Sequence, residues 1–467
     1  MSGEAPAVSR PLTAWNQAAL RGYIRQVHCF ESDGGRQALG VLRGKLEQAL
    51  KHVCLRMPYM AGRLSLSKEQ PGVIMLHTRE GDQVKLSTRD VRGDRNLVYA
   101  NIRKRGFPAG DFVGSVFNTD QALCEDGPPI SAAQIQLLLV DGGILMCVFV
   151  YHSITDGVGV NYFLSALAAA MRDPDSFLQK PLSCPSKIDI PIPSSSSMEK
   201  KDAELAMTLS KQCPELSLAA TGTTHEDYMT SMFGVSKVKF GGIFVFGPEK
   251  LQLAKVAVVS AGHPSTPSTF SCLAALSWAF MTTARLQTVG IAEQSRKENT
   301  KCRIVIPTWF GDRLFCEQLR DYAGNAVVFT EAWHGAADLF AVADSTSTDL
   351  SNAKDALTRS TLFNNVADPR QLQYSFTPSD PRQLFFNSWR RIGADIEWTI
   401  PTASGMKRTT ADAIRKSQSE WNESAGLIMP GRRDKLEYEA VLSSDADSME
   451  SLRKNKAWKS WIDREIF

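Results

Sequence analysis

The sequence predicts an α/β protein built as two domains. Three features carry that expectation. The chain has 467 residues, more than one ordinary core holds, so two domains of about 200 residues each are expected. Apolar runs of strand length alternate with helix-period stripes around long connections, which is the pattern of α/β folds. A Pro- and Ser-rich stretch interrupts the middle: Pro181-Leu182-Ser183-Cys184-Pro185, Pro191-Ile192-Pro193 and Ser194 to Ser197, followed by Glu199-Lys200-Lys201-Asp202. These features divide the chain into residues 1–185, a crossover linker at 186–220, and residues 221–467.

Taken in order, Leu42, Leu46, Ala49, Leu50, Val53 and Cys54 fall at helical spacing and predict a helix over 42–55. It ends before Pro58. Ala132 to Val140 reads as a strand. Asp141-Gly142 follows as a hairpin signal, with positive φ expected at both central positions of a type I′ turn. Ile144 to Tyr151 is a continuous apolar run, hence a strand buried on both faces. Val158 to Met171 is helical, with Phe163, Leu164, Leu167 and Met171 on one side. Beyond the linker come a helix over Ser268–Leu286 and strands over Cys302–Pro307 and Ala326–Thr330.

Composition narrows the function. Hydrophobic residues make up 43% and charged ones 22%, which excludes the disordered and collagen-like classes. A net charge of +3 from 53 basic and 50 acidic residues does not point to nucleic acid. No run reaches the roughly 18 apolar residues of a membrane helix. Met1 to Thr13 is polar with two prolines, unlike a signal peptide. The nine cysteines include no CxxC pair and several sit in apolar runs, as Cys147 does in Leu145-Met146-Cys147-Val148-Phe149. Buried thiols in a reducing, cytoplasmic setting are expected, and neither a zinc site nor a disulfide framework.

The chemistry concentrates at His152-Ser153-Ile154-Thr155-Asp156-Gly157. Acyl transfer from a thioester needs a base near neutral pKa on a rigid element. His152 sits where a buried strand gives way to a loop and a helix. Gly157 and Gly159 allow close approach of a ligand to the backbone. Asp156 is less clearly an orienter of the histidine. It can cap the following helix or turn toward an arginine. No Gly-x-Ser-x-Gly occurs, so direct transfer is favoured over a covalent acyl-enzyme.

The segment resembles the HxxxD core of BAHD-type, CoA-dependent acyltransferases, in the fungal branch that includes trichothecene 3-O-acetyltransferase. Other landmarks follow in order. Leu55 to Leu64 (LRMPYMAGRL) resembles Tyr-Pro-x-Ala-Gly-Arg-Leu. Ser268-Thr269 opens a helix through Trp278 to Arg285, like the helix after the family's crossover. Tyr322-Ala323-Gly324-Asn325-Ala326-Val327 resembles Tyr-Phe-Gly-Asn-Ala-Val. Asn387-Ser388-Trp389-Arg390-Arg391 resembles Thr-Ser-Trp-x-Arg, and Pro430-Gly431-Arg432-Arg433 opens a similar C-terminus. The resemblance implies two chloramphenicol-acetyltransferase-like domains, each a mixed sheet flanked by helices, with a tunnel between them. It implies His152 as general base and Asp156 as scaffold, paired with an arginine for which Arg313 is the candidate. Asn387 and Trp389 would face the developing oxyanion. Gly157, Tyr322 and Asn325 would line the tunnel, and Ser268, Arg285, Arg432 and Arg433 would meet the CoA. The expected activity moves an acyl group, acetyl in this branch, from acyl-CoA to a hydroxyl or amine of a fungal secondary metabolite. Acyl-CoA is a co-substrate with no permanently bound cofactor or metal. The expected partners are that thioester and a small-molecule acceptor, with the protein a cytoplasmic monomer.

One departure opens two alternatives. The family's Asp-Phe-Gly-Trp-Gly stands here as Asp395-Ile396-Glu397-Trp398-Thr399, without either glycine. Since that motif shapes the CoA channel, a carrier-protein thioester is one alternative donor. A repurposed rearrangement in the same tunnel is the other. Tyr151 in place of the first histidine of condensation-type enzymes counts against the carrier-protein reading.

Overall fold

The computed structural model describes residues 8–119, 123–179, 203–213, 216–218, 238–260, 265–309, 324–325, 327–335, 367 and 372–467. The main elements, in chain order, are β1 (Tyr23–Glu31), α1 (Gly35–Arg56), β2 (Lys85–Asp90), β3 (Ala133–Val140), β4 (Gly143–Tyr151) and α2 (Gly157–Arg172). They continue as β5 (Lys239–Phe246), α3 (Thr269–Thr288), β6 (Lys301–Trp309), β7 (Val327–Gly335), β8 (Gln383–Ser388) and β9 (Ala413–Lys416). The chain closes with β10 (Ala425–Ile428), β11 (Tyr438–Asp445), α4 (Ala446–Lys454) and β12 (Arg464–Ile466).

Two mixed sheets organise the molecule. The first has the order β9-β1-β4-β3-β2, with β2 parallel to β3 and the other pairs antiparallel. The second has the order β7-β6-β8-β10-β11-β5-β12, with β6, β8 and β10 mutually parallel. This is the expected α/β class. Every residue of β4 is buried, because both faces are covered. On one face, α1 and α2 bury Leu42, Leu46, Val53, Phe163 and Leu167 against the sheet. On the other, Leu97, Tyr99, Ile102, Phe112 and Phe117 pack over Val27, Leu145 and Cys147. The second sheet buries Trp278 of α3 and Trp458 against Phe244, Phe246 and Phe386. No helix among the described residues is long and apolar enough to cross a membrane.

The contiguous division at 185 and 221 needs correction. After β8 the chain leaves the second sheet and enters the first core, where Ile392, Ala394, Trp398, Ile400, Ala411 and Ile414 are buried. It supplies β9 as the edge strand beside β1, in register Ala413 to Cys29 through Lys416 to Gln26, and then returns to the second sheet as β10. The first unit therefore contains a piece of the second half. Part of the expected linker is also ordered: Ala203–Ser210 is helical, and Leu216–Leu218 pairs with Leu372–Tyr374.

Local expectations met mixed outcomes. The helix expected over 42–55 begins earlier, at Gly35. The β3–β4 hairpin has the two-residue loop Asp141-Gly142, but only Gly142 is left-handed, at φ 81°. Tertiary bonds hold Asp141 instead. Its carbonyl accepts from Tyr99 N at 2.9 Å and its Oδ2 accepts from Gly93 N at 3.2 Å.

Candidate active site

His152 follows the last residue of β4. Its backbone N donates to Gly22 O at 2.7 Å, and Ile154 N donates to Tyr151 O at 2.9 Å. The strand thus ends in a tight, pinned turn. Ser153, Thr155 and Asp156 are buried behind it while His152 is half-buried. The imidazole is held at the seam of the two sheets, since its partner Asn325 lies two residues before β7 at the edge of the second sheet.

The hydrogen bonds around Asn325 assign its amide. Nδ2 donates to His152 O at 2.8 Å and to Asn16 Oδ1 at 3.0 Å. Oδ1 is then the atom 3.1 Å from His152 Nδ1. An amide oxygen only accepts, so Nδ1 carries the proton and Nε2 keeps the lone pair. Nε2 makes no hydrogen bond among the described residues. Burial pushes the His152 pKa below the usual imidazole value, opposed in part by hydrogen bonds to its own backbone and to Asn325. The ring is therefore neutral at neutral pH, with its basic nitrogen unbonded among the described residues.

Asp156 does not touch the imidazole. It is the N-cap of α2, where Oδ1 accepts from Val158 N at 2.9 Å and Gly159 N at 3.1 Å. That satisfies two of the helix's orphan donors and fits the scaffold role. The arginine proposed for it, Arg313, lies outside the described residues. So does Tyr322. Gly157 is explained differently from the expectation: a Cβ there would lie 2.6 Å from Ile392 Cδ1. Its missing side chain makes room for a side chain of the second half rather than for a ligand.

Asn387 and Trp389 lie at the end of β8 and just beyond it. Asn387 Oδ1 accepts from Ser388 N at 2.7 Å. Among the described residues its Nδ2 and the Trp389 indole N–H make no hydrogen bond, so both donors stay available. Trp389 is half-buried on the first core, and Ile392 N donates to Trp389 O at 2.9 Å. This is the segment that carries Ile392 against Gly157. Neither Asn387 nor Trp389 bonds to His152.

Two residues expected at the CoA are spent elsewhere. Ser268 is the N-cap of α3, its Oγ accepting from Ser271 N at 3.0 Å. Arg285 is 3% exposed. Its guanidinium donates to the carbonyls of Asp380 and Gln383 at 2.8 Å and of Pro378 at 2.5 Å, and to Ser424 Oγ at 2.6 Å, and it lies 3.6 Å from Glu423. It clamps a turn from a buried position, away from the surface. Arg432 is paired with Asp434 and Arg433 with Asp395, both on the surface. Trp398 is buried in the first core, edge-on to His28 and Phe30. The residue that sequence reading missed is Asn16, 0% exposed on the short helix Ala14–Ala18. Its polarity inside Ala14-Trp15-Asn16-Gln17-Ala18 was the available signal.

Residues 23–171 match the trichothecene 3-O-acetyltransferase-like N-terminal domain. That stretch runs from β1 through His152 to the end of α2, so it holds the motif and its scaffold. Over 162 residues, 34% of this chain and 33% of the relative, the sequence is 24% identical to acyltransferase easC of Emericella nidulans. Over 267 residues, 52% of this chain and 51% of the relative, it is 24% identical to a trichothecene 8-O-acetyltransferase of Fusarium sporotrichioides. The chain spans a third to about half the length of these curated relatives. Solved structures cover it more fully. TRI101 of F. graminearum, complexed with coenzyme A and T-2 mycotoxin, superposes with a TM-score of 0.75 at 18% identity over 98% of this chain and 100% of that one. TRI101 of F. sporotrichioides, complexed with coenzyme A and T-2, gives 0.72 at 19% over the same shares. Vinorine synthase gives 0.60 at 14% over 98% and 99%. The two-sheet fold is thus that of TRI101, and the family resemblance drawn from the motifs holds.

Proposed function

We propose that this protein transfers an acyl group, acetyl being the first choice, from acyl-CoA to a hydroxyl or amine of a small fungal secondary metabolite. The observation that carries the reading is the fixed tautomer of His152, with Nδ1–H on Asn325 Oδ1 at 3.1 Å and Nε2 unengaged. Nε2 accepts the acceptor's proton as its oxygen or nitrogen attacks the thioester carbonyl. The unused N–H donors of Asn387 and Trp389 are the groups proposed to meet the developing oxyanion, an effect of a few kcal/mol where such donors are aimed well. Collapse expels CoA as thiolate, and the imidazolium returns the proton. The acyltransferase names of the two curated relatives and the coenzyme A complexes of the TRI101 structures support acyl-CoA as donor. A cytoplasmic location is proposed with it; the buried thiols of Cys29, Cys54, Cys147, Cys272 and Cys302 suit a reducing compartment. Arg432 and Arg433 are kept as candidate phosphate contacts, and a monomer as the working unit.

The test is acetyl-CoA-dependent acylation of a panel of hydroxylated and amine-bearing fungal metabolites, followed by mass spectrometry. His152→Ala is expected to lower turnover by about 10²-fold or more, the usual size of a general-base loss, with an unchanged melting temperature. Near-normal turnover by the variant removes the base assignment. Acylation from a carrier-protein thioester but not from acetyl-CoA replaces the donor.

A further inference from the structure

We propose that Asn16 is a positioning residue that holds the Asn325 amide in the one orientation that keeps His152 Nε2 basic. The inference rests on the reading of His152 as general base and adds a residue that acts on it at one remove. Asn16 Oδ1 accepts twice from the same neighbour, from Asn325 N at 2.9 Å and Asn325 Nδ2 at 3.0 Å. His152 O accepts from Nδ2 as well. Rotating the Asn325 amide by half a turn would set its oxygen against both of these oxygens inside the protein. Unsatisfied buried acceptors are costly. The flip would also present an NH₂ to Nδ1, which would then have to accept, moving the imidazole proton to Nε2 and abolishing the base. Asn16 and His152 O together thus fix the amide, which reinforces the tautomer that the ring's bond to its own backbone also favours.

The helix carrying Asn16 is itself anchored on two sides. Gln17 Nε2 donates to Ile74 O at 2.9 Å and Gln17 Oε1 accepts from Ile74 N at 2.8 Å, which ties the helix to the strand Ile74–Thr78. Ala18 O accepts from Tyr374 Oη at 2.7 Å, which ties it to the second half. No charged side chain among the described residues competes for the imidazole. Tyr23 and Tyr151 are held as neutral phenols by burial, Arg21 points at Gly72 O at 2.6 Å, and Asp156 is turned into the start of α2.

Two substitutions test the proposal, measured beside His152→Ala on the full chain. Asn16→Leu removes the acceptor at similar volume. It is expected to lower kcat by about 10-fold or more with KM for acetyl-CoA little changed, the split expected when ground-state binding is untouched. Asn16→Asp keeps an acceptor for both Asn325 donors but adds a negative charge behind the imidazole. A nearby anion favours the imidazolium, so the acid limb of the kcat/KM profile, expected below the ordinary imidazole range because burial lowers the His152 pKa, should move up, with the rate recovered above it. A purely structural Asn16 would not move that limb. Wild-type kcat in Asn16→Leu overturns the proposal, as does an unmoved limb in Asn16→Asp, and either result with an inactive His152→Ala leaves the base assignment standing. An active His152→Ala overturns both. If Asn16→Leu does not fold, the limb of Asn16→Asp decides.

Discussion

His152 and Arg285 are both nitrogen-rich side chains held among buried hydrogen-bond partners, and both stood out in the sequence as functional. They differ in what is left over. Arg285 donates to three carbonyls and a hydroxyl and sits beside Glu423. Burial lowers its pKa, and the neighbouring carboxylates of Glu423, Asp445 and Asp380 push back. His152 spends one nitrogen on Asn325 and keeps the other. A network whose bonds all run to the fold itself makes a fastener. A network with one group deliberately unspent makes a reagent, and that remainder is a better mark of chemistry than burial or charge.

The strongest way to break this contrast is at the fastener. Arg285→Met should leave Glu423 and several carbonyls buried without a donor. A loss of about 3–5 kcal/mol in unfolding free energy is expected, the usual result of removing one partner of a buried pair. Denaturant titration reads it, and any folded fraction should turn over at the normal rate. A selective loss of turnover at unchanged stability would make Arg285 part of the site after all.

A second imidazole sharpens the contrast. His28 is 0% exposed and its pKa is lowered to about 3 by burial alone. Between pH 6.5 and 3 the unfolded chain binds a proton at this position and the folded one does not, so stability falls as pH falls through that window. At pH 5 the cost is about 2 kcal/mol. The difference in stability between wild type and His28→Leu, followed from pH 7 to 5, should show this slope, and a flat difference would put His28 in contact with water. His152 is expected to mark activity, and His28 only folding.

The smallest effect is at the cap. Asp156→Ala should cost about 1 kcal/mol, the usual value of a lost N-cap, and turnover should fall only as far as α2 loosens the turn before it. Loss of turnover at unchanged melting temperature would return Asp156 to the chemistry.

What could be read from the sequence follows from how local each signal is. The strands Ala133–Val140 and Gly143–Tyr151 and the helix Gly157–Arg172 have their apolar periods within the segment, so they were found within a residue or so. The motif beginning at His152 was visible for the same reason. Asn16 and Ile392 were not, because their meaning lies in partners 309 residues away at Asn325 and, for Ile392, at Gly157. Arg285 was expected at the CoA from the family resemblance, and its actual partners lie 93 residues or more away, in the turn around Pro378–Gln383 and at Ser424. Asp141 was expected to be left-handed from a dipeptide preference, which the bonds to Tyr99 and Gly93 overrode.

The strand Ala413–Lys416 has a consequence for how the molecule comes into being. Until that stretch has left the ribosome, the first sheet ends at Tyr23–Glu31, with a free row of N–H and C=O groups on its outer side. Open edges of this kind recruit other strands, and pairing over such separations is slow. The nascent chain must therefore carry an unfinished, adhesive edge through most of its synthesis, and a truncation before residue 413 leaves that edge permanently open to a neighbouring copy.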